Sequence, residues 1–238
     1  MKGIILAAGH GTRLAPLTNI TSKQLLPVYD KPMVHFSMQT LIDAGIKEIL
    51  LIVGPEKCGD YLNYFGSGAK FGVRITYEVQ DEPTGLPDAF VIGKRFIGDD
   101  NVVLILGDNI FEEKLTKAVE SFKGGAKVFA KEVPDPERFG VVKFDKNMKA
   151  IKIEEKPKVH LSDYALVGFY IYDNRVLKVA ENLQPSARGE KEIVDLHNWY
   201  LKKGELDVEI IKGEWIDAGT FDSLLKANNF IAQQRKKS

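Results

Sequence analysis

The chain begins with KGIILAAGHGTRL (Lys2–Leu14), an apolar run of strand length that ends in a glycine-rich turn. Its glycines, Gly9 and Gly11, let backbone N–H groups turn towards an anion. Arg13 lies in the turn and Lys23 follows ten residues later, so two cations are placed to neutralise a polyphosphate. The stretch predicts a nucleoside triphosphate site at the carboxyl end of a first strand.

Two better-known phosphate loops are excluded by the same residues. The dinucleotide fingerprint G-x-G-x-x-G requires a third glycine, and Leu14 occupies that position. No stretch of the sequence supplies the Walker pattern G-x-x-x-x-G-K-[ST]. A nicotinamide-dependent dehydrogenase and a P-loop NTPase are therefore disfavoured.

Composition limits the class of partner. The 238 residues include 33 Lys and Arg against 33 Asp and Glu, so the formal net charge is zero. This balance argues against nucleic acid or an anionic membrane as the main partner. The single cysteine, Cys58, fits a reducing cytoplasm, and no window approaches the roughly 20 apolar residues of a membrane span. We expect a cytoplasmic protein whose partners are small molecules.

The order of the apolar segments predicts an α/β fold with a mostly parallel sheet. In the first half, strand-like and helix-like stretches alternate, which is typical of βαβ units. From position 126 the strand candidates are separated by turns instead, which predicts an added mixed or antiparallel portion. The predicted strands are 4–8, 48–53, 73–79, 101–106, 126–132, 140–145, 150–155, 164–172 and 208–211. The predicted helices are one from Val34 that ends at Gly45, one after Thr84, 175–183, 190–202 and a last one followed by a solvated tail at 233–238.

Two aspartates follow strand-like segments and are candidate metal ligands. Asp108 ends the most apolar strand, and Asp217 follows the short run Trp215-Ile216. Two carboxylates from distant segments suit Mg²⁺, which completes its shell with phosphates and water. The structural alternatives are an Asx turn at Asp108 and a helix cap at Asp217, for which Thr220 competes.

Glu155 and Lys156 end an alternating strand and are candidates for binding a phosphorylated sugar. Lysine suits a phosphate as a compact point charge, and a carboxylate accepts hydrogen bonds from hydroxyls. A solvated strand end with adjacent opposite charges is the alternative. Gly140 could let the backbone approach a ligand closely, although a strand that begins with glycine explains it equally well.

Taken together, these motifs resemble the sugar-phosphate nucleotidyltransferases, in the family's order and over nearly the whole chain. The matching segments are 6–14, 22–27, 79–81, 107–111, 136–141, 154–157, 185–190 and 215–220. The resemblance implies a Rossmann-like, three-layer α/β/α core. It also implies Mg²⁺-dependent transfer of a thymidylyl group from dTTP to glucose 1-phosphate, with release of pyrophosphate.

The resemblance also implies roles for individual residues. The triphosphate would be held by Ala8, Gly9, Gly11, Thr12, Arg13 and Lys23, and the base read by Gln80 and Gly85. The metal ligands would be Asp108 and Asp217, and Asp108 would also contact the substrate. The residues that contact the sugar phosphate would be Gly140, Glu155, Lys156 and Tyr170. Catalysis would rest on charge neutralisation and positioning by Arg13, Lys23, Asp108 and Lys156.

The sequence departs from the family pattern at three points. Ala8 stands where members often have glycine, and Asp88 stands where they usually have glutamine in the stretch after the base-reading residue. The third departure is at the end of the chain, where longer relatives carry a helical extension tied to a regulatory site. We expect the feedback control that depends on this extension to be missing. A uridylyl- or cytidylyltransferase and a non-catalytic nucleotide-sugar sensor remain alternatives.

The domain prediction is one nucleotidyltransferase domain over 1–238. Within it we expect a nucleotide-binding core at 1–125, a sugar-phosphate-binding portion at 126–220, and a C-terminal helix and tail at 221–238. The resemblance leaves a homo-oligomer open, since relatives are commonly oligomeric.

Overall fold

The structure is a computed structural model that describes residues 1–237. Within this range it forms thirteen strands and eight α-helices, joined by short 3₁₀ turns. The strands are β1 (Lys2–Ala7), β2 (Pro27–Val28), β3 (Lys31–Pro32), β4 (Glu48–Val53), β5 (Arg74–Val79), β6 (Val102–Leu106), β7 (Asn109–Phe111), β8 (Ala126–Glu132), β9 (Gly140–Phe144), β10 (Ala150–Glu155), β11 (Tyr164–Tyr172), β12 (Leu206–Ile210) and β13 (Trp215–Asp217). The helices are α1 (Val34–Asp43), α2 (Cys58–Phe65), α3 (Asp88–Ile92), α4 (Lys94–Ile97), α5 (Thr116–Glu120), α6 (Val176–Asn182), α7 (Ile193–Lys202) and α8 (Phe221–Lys237).

Contacts between residues divide the chain into two compact units. The terminal unit contains Gly3–Glu82, Ile105–Lys117 and the residues from Gly213 on. The central unit contains Met1–Lys2, Pro83–Leu104 and Ala118–Lys212. No helix among the described residues has both the length and the apolar character needed to cross a membrane.

The terminal unit is built on parallel strands. β1 pairs with β4 from Gly3 to Ala7, and β4 pairs with β5 along its whole length. Both β1 and β4 are buried after their first residues, as expected for strands covered on both faces. α1 lies between β1 and β4 in the chain and ends near Gly45, whose positive φ of 85° makes glycine the favoured residue there. This arrangement places the glycine-rich turn at the carboxyl end of β1.

A second part of the terminal unit joins distant stretches of sequence. β13 runs antiparallel to β7, with Asp217 opposite Asn109 and Trp215 opposite Phe111. One apolar cluster packs around this pair and one face of α8. Its buried members are Leu14, Leu26, Val28, Met33, Ile110, Ile216, Ala218, Ala227 and Ile231. The cluster thereby anchors the ends of the segments that carry Arg13, Asp108 and Asp217.

The central unit contains the mixed sheet. β10 pairs with β9, β9 pairs with β11, and β11 pairs with β8, each time in the antiparallel direction. β12 adds to the other edge of β8 in parallel. β11 is buried along nearly its whole length, and α7 packs against β10, β8 and β12.

The predicted fold class is confirmed: parallel strands alternate with helices in the first half, and mixed and antiparallel strands are added after position 126. Two predicted segments are wrong in detail. The helix expected at 190–202 begins only at Ile193, and α8 continues through the segment expected to be a tail, up to Lys237. Ser238 lies outside the described residues. α2 and α5 were not predicted, and the division at 125 and 220 stays a prediction.

Candidate active site

The glycine-rich turn packs against the segment that carries Lys23. Gly11 has a positive φ of 68°, and a Cβ atom placed on it would lie 2.8 Å from the Lys23 Cβ and 2.9 Å from the Thr18 Cγ2. The Thr18 hydroxyl donates a hydrogen bond to the Gly11 carbonyl at 3.1 Å. Only glycine fits this close approach without strain. Gly9 and Thr12 lie in the exposed part of the turn, available to a ligand.

Lys23 and Asp108 form an ion pair in the terminal unit. The Lys23 Nζ lies 2.5 Å from the Asp108 Oδ2, and each side chain is only 11% exposed. The other carboxylate oxygen, Oδ1, accepts a hydrogen bond from the Asn109 Nδ2 at 3.0 Å. The Asn109 Oδ1 in turn accepts one from the Trp215 indole at 2.7 Å, so β13 supports the side chain beside Asp108.

Asp217 stands next to this pair. Its neighbour Ala218 donates a backbone hydrogen bond to the Asp108 carbonyl at 2.9 Å. The Asp217 Oδ1 accepts from the Gly219 N–H at 3.0 Å, while Thr220 accepts from the Ser223 N–H at 3.3 Å. Thr220 is therefore the residue that caps α8, and Asp217 is left to turn its carboxylate towards Lys23 and Arg13.

Arg13 reaches the same place from the glycine-rich turn. A Cβ atom placed on Gly219 would lie 2.9 Å from the Arg13 Nη2 and 2.8 Å from the Asp217 Oδ1. The absence of a side chain at Gly219 thus makes room for the guanidinium beside the Asp217 carboxylate.

The two aspartates titrate differently because their surroundings differ. Burial alone would raise the pKa of Asp108, but the charge of Lys23 and the hydrogen bonds from Lys23 and Asn109 hold it below its usual value. Burial and then the negative charge of Asp108 raise the pKa of Asp217 to about 6, against the opposing charges of Lys23 and Arg13. The two carboxylates repel each other, and neighbouring strands hold them in place. A divalent cation between them would relieve this repulsion, so the pair is suited to binding one.

Within residues 1–237, no cluster of three or more His, Cys, Asp and Glu side chains is arranged to hold a metal by itself. Two carboxylates suit Mg²⁺ all the same, because this ion retains waters and commonly takes its remaining ligands from substrate phosphates.

Gln80 and Ala8 also belong to the terminal unit. Gln80 follows β5 and is only 6% exposed, yet its Nε2 finds no hydrogen-bond partner among the described residues. A buried amide donor of this kind favours a ligand that brings an acceptor. Ala8 lies at the end of β1, where its carbonyl oxygen approaches Gly54.

The sugar-phosphate candidates Gly140, Glu155 and Lys156 come together in the central unit. Gly140 lies opposite Glu155 in the β9–β10 ladder, and a Cβ atom on Gly140 would lie 3.3 Å from the Glu155 Oε2. Lys156 has a positive φ of 42°, which is uncommon for a residue with a side chain and is often found at functional sites. Its Nζ lies 3.8 Å from the Glu155 Oε1. Burial raises the pKa of Glu155, against the opposing charge of Lys156.

Arg188 is a further cation at Glu155, and its role was not predicted from the sequence. The Arg188 Nη2 lies 3.4 Å from the Glu155 Oε1 and 2.7 Å from the Glu192 Oε2. The Ser186 hydroxyl supports Glu192 with a hydrogen bond of 2.7 Å. Arg188 lies in the segment 185–190 that carried part of the family resemblance, so its motif was visible although its contact with Glu155 was not.

Tyr170 and Gly85 occupy other parts of the central unit. Tyr170 is a buried residue of β11 whose ring lies 5.1 Å from that of His197 and 6.4 Å from that of Tyr172. Gly85 forms an isolated parallel bridge with Lys191. The structure therefore gathers Arg13, Lys23, Asp108 and Asp217 in one cluster, whereas it gathers Gly140, Glu155 and Lys156 in another.

Comparisons with known proteins identify the family. The family model described as nucleotidyl transferase matches residues 2–234. A glucose-1-phosphate thymidylyltransferase of Neisseria meningitidis is 51% identical over 97% of this chain and 82% of its own length. One of Mycolicibacterium smegmatis is 50% identical over the same shares.

Solved structures give the same result for the fold. A structure described as a candidate glucose-1-phosphate thymidylyltransferase of Bacillus anthracis, in complex with a sucrose, superposes with a TM-score of 0.92 at 48% identity, covering 97% of this chain and 94% of that one. A UDP-glucose pyrophosphorylase complexed with UDP-glucose superposes with a TM-score of 0.86 at 22% identity, covering 98% of both chains, and shows the fold alone. The chain belongs to the nucleotidyl transferase family.

Proposed function

We propose that the protein transfers the thymidylyl group of dTTP to glucose 1-phosphate, in a Mg²⁺-dependent reaction that gives dTDP-glucose and pyrophosphate. The observation that carries the proposal is the cluster of Arg13, Lys23, Asp108 and Asp217 beside the glycine-rich turn. The relatives at about 50% identity bear the name of this activity.

The terminal unit supplies the groups for the triphosphate. The N–H groups of Gly9, Gly11 and Thr12 would bind phosphate oxygens, and Arg13 with Lys23 would neutralise their charge. Lys23 is held in place by Asp108, so its ammonium is already oriented before a ligand arrives. Preorganised charges of this kind act most strongly where water is excluded.

Asp108 and Asp217 would hold the Mg²⁺ ion. When bound, Mg²⁺ would neutralise charge on the triphosphate and the leaving pyrophosphate. Burial and the charge of Asp108 raise the pKa of Asp217, and a positive charge bound between the two carboxylates would oppose that rise.

The central unit supplies the groups for the sugar phosphate. Glu155 would accept hydrogen bonds from sugar hydroxyls, with Gly140 leaving space beside it. Lys156 would bind the phosphate, Arg188 would add a second cation, and Tyr170 would contact the sugar.

The chemistry is a direct displacement. A phosphate oxygen of glucose 1-phosphate forms a bond to the α-phosphorus of dTTP, and the bond from that phosphorus to the oxygen bridging to the β-phosphorus breaks. The electron pair leaves with pyrophosphate. The protein has to position the two substrates and neutralise their charges, for which Arg13, Lys23 and Lys156 are the candidate cations.

Base recognition falls to Gln80 and Gly85 in this proposal. The Gln80 amide would donate a hydrogen bond to a carbonyl oxygen of thymine.

We also place the enzyme in the reducing cytoplasm, because its one cysteine, Cys58, is a free thiol. A homo-oligomer stays a prediction.

The test is pyrophosphate release with Mg²⁺ from dTTP, UTP, CTP, ATP or GTP, each with and without glucose 1-phosphate. Release that requires the sugar phosphate and is fastest with dTTP is expected. Sugar-dependent release that favours UTP or CTP would replace the base but keep the enzyme class. No release with any nucleotide or any of a panel of sugar 1-phosphates would contradict a catalytic role.

A further inference from the structure

Asp88, which stands where the family usually has glutamine, is engaged by two partners in the central unit. The Lys191 Nζ lies 3.0 Å from the Asp88 Oδ1, and the two side chains are 20% and 15% exposed. The Thr84 hydroxyl donates to the other oxygen, Oδ2. Each carboxylate oxygen thus has a partner within the protein, so Asp88 is not placed as a base-reading side chain.

The backbones of the same two segments are also joined. The Lys191 N–H donates to the Thr84 carbonyl at 2.9 Å, and Lys191 forms the parallel bridge with Gly85. Gly85 has a φ of 122°, and a Cβ atom placed on it would lie 2.2 Å from the Lys191 carbonyl oxygen. Gly85 is therefore held against Lys191 at a distance that no other residue allows.

We propose that Asp88 and Lys191 are positioning residues, which fix the Gly85 segment in the conformation that receives the nucleobase. The inference rests on the proposed function, because it takes Gly85 as part of the base site. The ion pair joins Asp88 to Lys191, and the backbone contacts join Lys191 to Thr84 and Gly85. The segment from Thr84 to Asp88 is therefore held to Lys191 at both of its ends. Loss of the ion pair leaves Gly85 held by its backbone contacts alone.

Lys191 is also well placed for this role along the chain. It follows Arg188, which contacts Glu155, by three residues and precedes Glu192, the other partner of Arg188. The side chain of Lys191 instead forms the ion pair with Asp88. A change in this side chain is therefore expected to disturb the Gly85 segment before the contacts of Arg188. The position predicts a defect in nucleotide binding and base choice, with the sugar-phosphate site little affected.

The experiment compares Lys191→Met and Asp88→Ala with the wild type and with Lys191→Arg, which keeps a cation for Asp88. Lys94→Met is the matched control, because Lys94 forms an ion pair with Glu181 in the same unit but is 59% exposed. For each variant we would measure the melting temperature, direct dTTP binding, the KM of each substrate, and the ratio of kcat/KM for dTTP to that for dCTP.

In Lys191→Met and Asp88→Ala, we expect the KM and dissociation constant for dTTP to rise about tenfold, since small misplacements of a positioning segment commonly cost this much or more. The preference for dTTP over dCTP should fall with them, while the KM for glucose 1-phosphate changes less than about twofold. Lys191→Arg should restore the preference, and Lys94→Met should leave every value unchanged.

The inference is overturned if the folded variants keep the wild-type base preference, or if both KM values rise equally, since a general loss of order would do that. A wild-type enzyme that reacts with dTTP and glucose 1-phosphate while the variants match the control removes only this inference. A wild-type protein that neither binds dTTP nor reacts removes the proposed function with it.

Discussion

At the residue scale, the proposed base recognition depends on the buried amide of Gln80. Its amide nitrogen has no hydrogen-bond partner in the part of the chain that the structure describes. An unmade hydrogen bond at a buried donor costs about 1–3 kcal/mol. A carbonyl oxygen of a bound base would recover that free energy, whereas an exocyclic amino group would meet the donor with another donor.

Gln80→Ala is therefore expected to lower the preference for dTTP over dCTP by roughly tenfold or more, because thymine carries a carbonyl where cytosine carries an amino group. The measurement is kcat/KM for both nucleotides with glucose 1-phosphate saturating. Gln39→Ala is a suitable control, since Gln39 is an exposed residue of α1 that contacts Asp43. An unchanged preference in folded Gln80→Ala would remove Gln80 from base recognition.

Residue chemistry could be predicted from the sequence more readily than residue contacts. Arg13, Lys23, Asp108 and Asp217 are recognisable as cations and acids beside strand ends. The pairing of Lys23 with Asp108 joins positions 85 residues apart, and no local pattern encodes it. The contact of Arg188 with Glu155 was missed for the same reason, because it depends on where a loop folds back.

At the element scale, strands bounded by turn residues were predicted best. The observed bounds of β4, β8, β10 and β11 equal the predicted ones, since each is an apolar or alternating run between turn residues. The start of α7 was missed because Glu190, Lys191 and Glu192 favour helix locally. Lys191 instead bridges to Gly85, and this tertiary contact overrides the local preference.

The antiparallel pair of β7 and β13 predicts a defined effect of Trp215→Phe. The change removes the indole donor to the Asn109 Oδ1 while keeping most of the ring, which should lower the free energy of unfolding by about 1–3 kcal/mol. Asn109 also donates to Asp108, so the Mg²⁺ concentration for half-maximal rate should rise about tenfold.

The comparison is with Trp199→Phe, which changes the chain's other tryptophan, on α7 in the central unit. Titration of the rate with Mg²⁺ and thermal unfolding are measured on both variants. A Trp215→Phe protein that is destabilised but has the wild-type Mg²⁺ dependence would show that β13 supports the fold without orienting Asp108.

At the scale of the whole molecule, the proposed roles divide between the two compact units. The phosphate and metal candidates lie in the terminal unit, and the sugar-phosphate candidates lie in the central unit. The reaction class could be predicted from the sequence because both sets of motifs are present in one chain. The boundaries of the units could not, because each unit is assembled from discontinuous stretches.

Stability of the whole protein should depend on pH through His197 in the central unit. Its ring is fully buried, neither ring nitrogen finds a partner within residues 1–237, and burial lowers its pKa to about 3. Above the unfolded pKa of about 6.5 the ring is neutral in both states and has no effect. As the pH falls below that value, the unfolded chain takes up a proton that the folded protein does not, so stability is lost.

We therefore expect the wild type to lose about 2 kcal/mol of unfolding free energy between pH 7 and pH 5 relative to His197→Phe, which lacks the titrating group. The measurement is denaturant unfolding of both proteins at each pH. Taking the difference cancels the contributions of Asp217 and Glu155, whose raised pKa values act in the opposite direction. Parallel pH profiles for the two proteins would contradict the assignment.

Asp108 is central to the proposed metal and phosphate site. The most direct test of its role is pyrophosphate release from dTTP and glucose 1-phosphate by Asp108→Asn at saturating substrates and Mg²⁺. Asp222→Asn, which changes an exposed aspartate of α8, is the matched control. Circular dichroism should show that both variants are folded. We predict that the kcat of Asp108→Asn is about 10²–10³-fold lower than that of the wild type, while the control has the wild-type kcat. Near-normal turnover by folded Asp108→Asn would contradict the assignment of Asp108 to the metal and phosphate site.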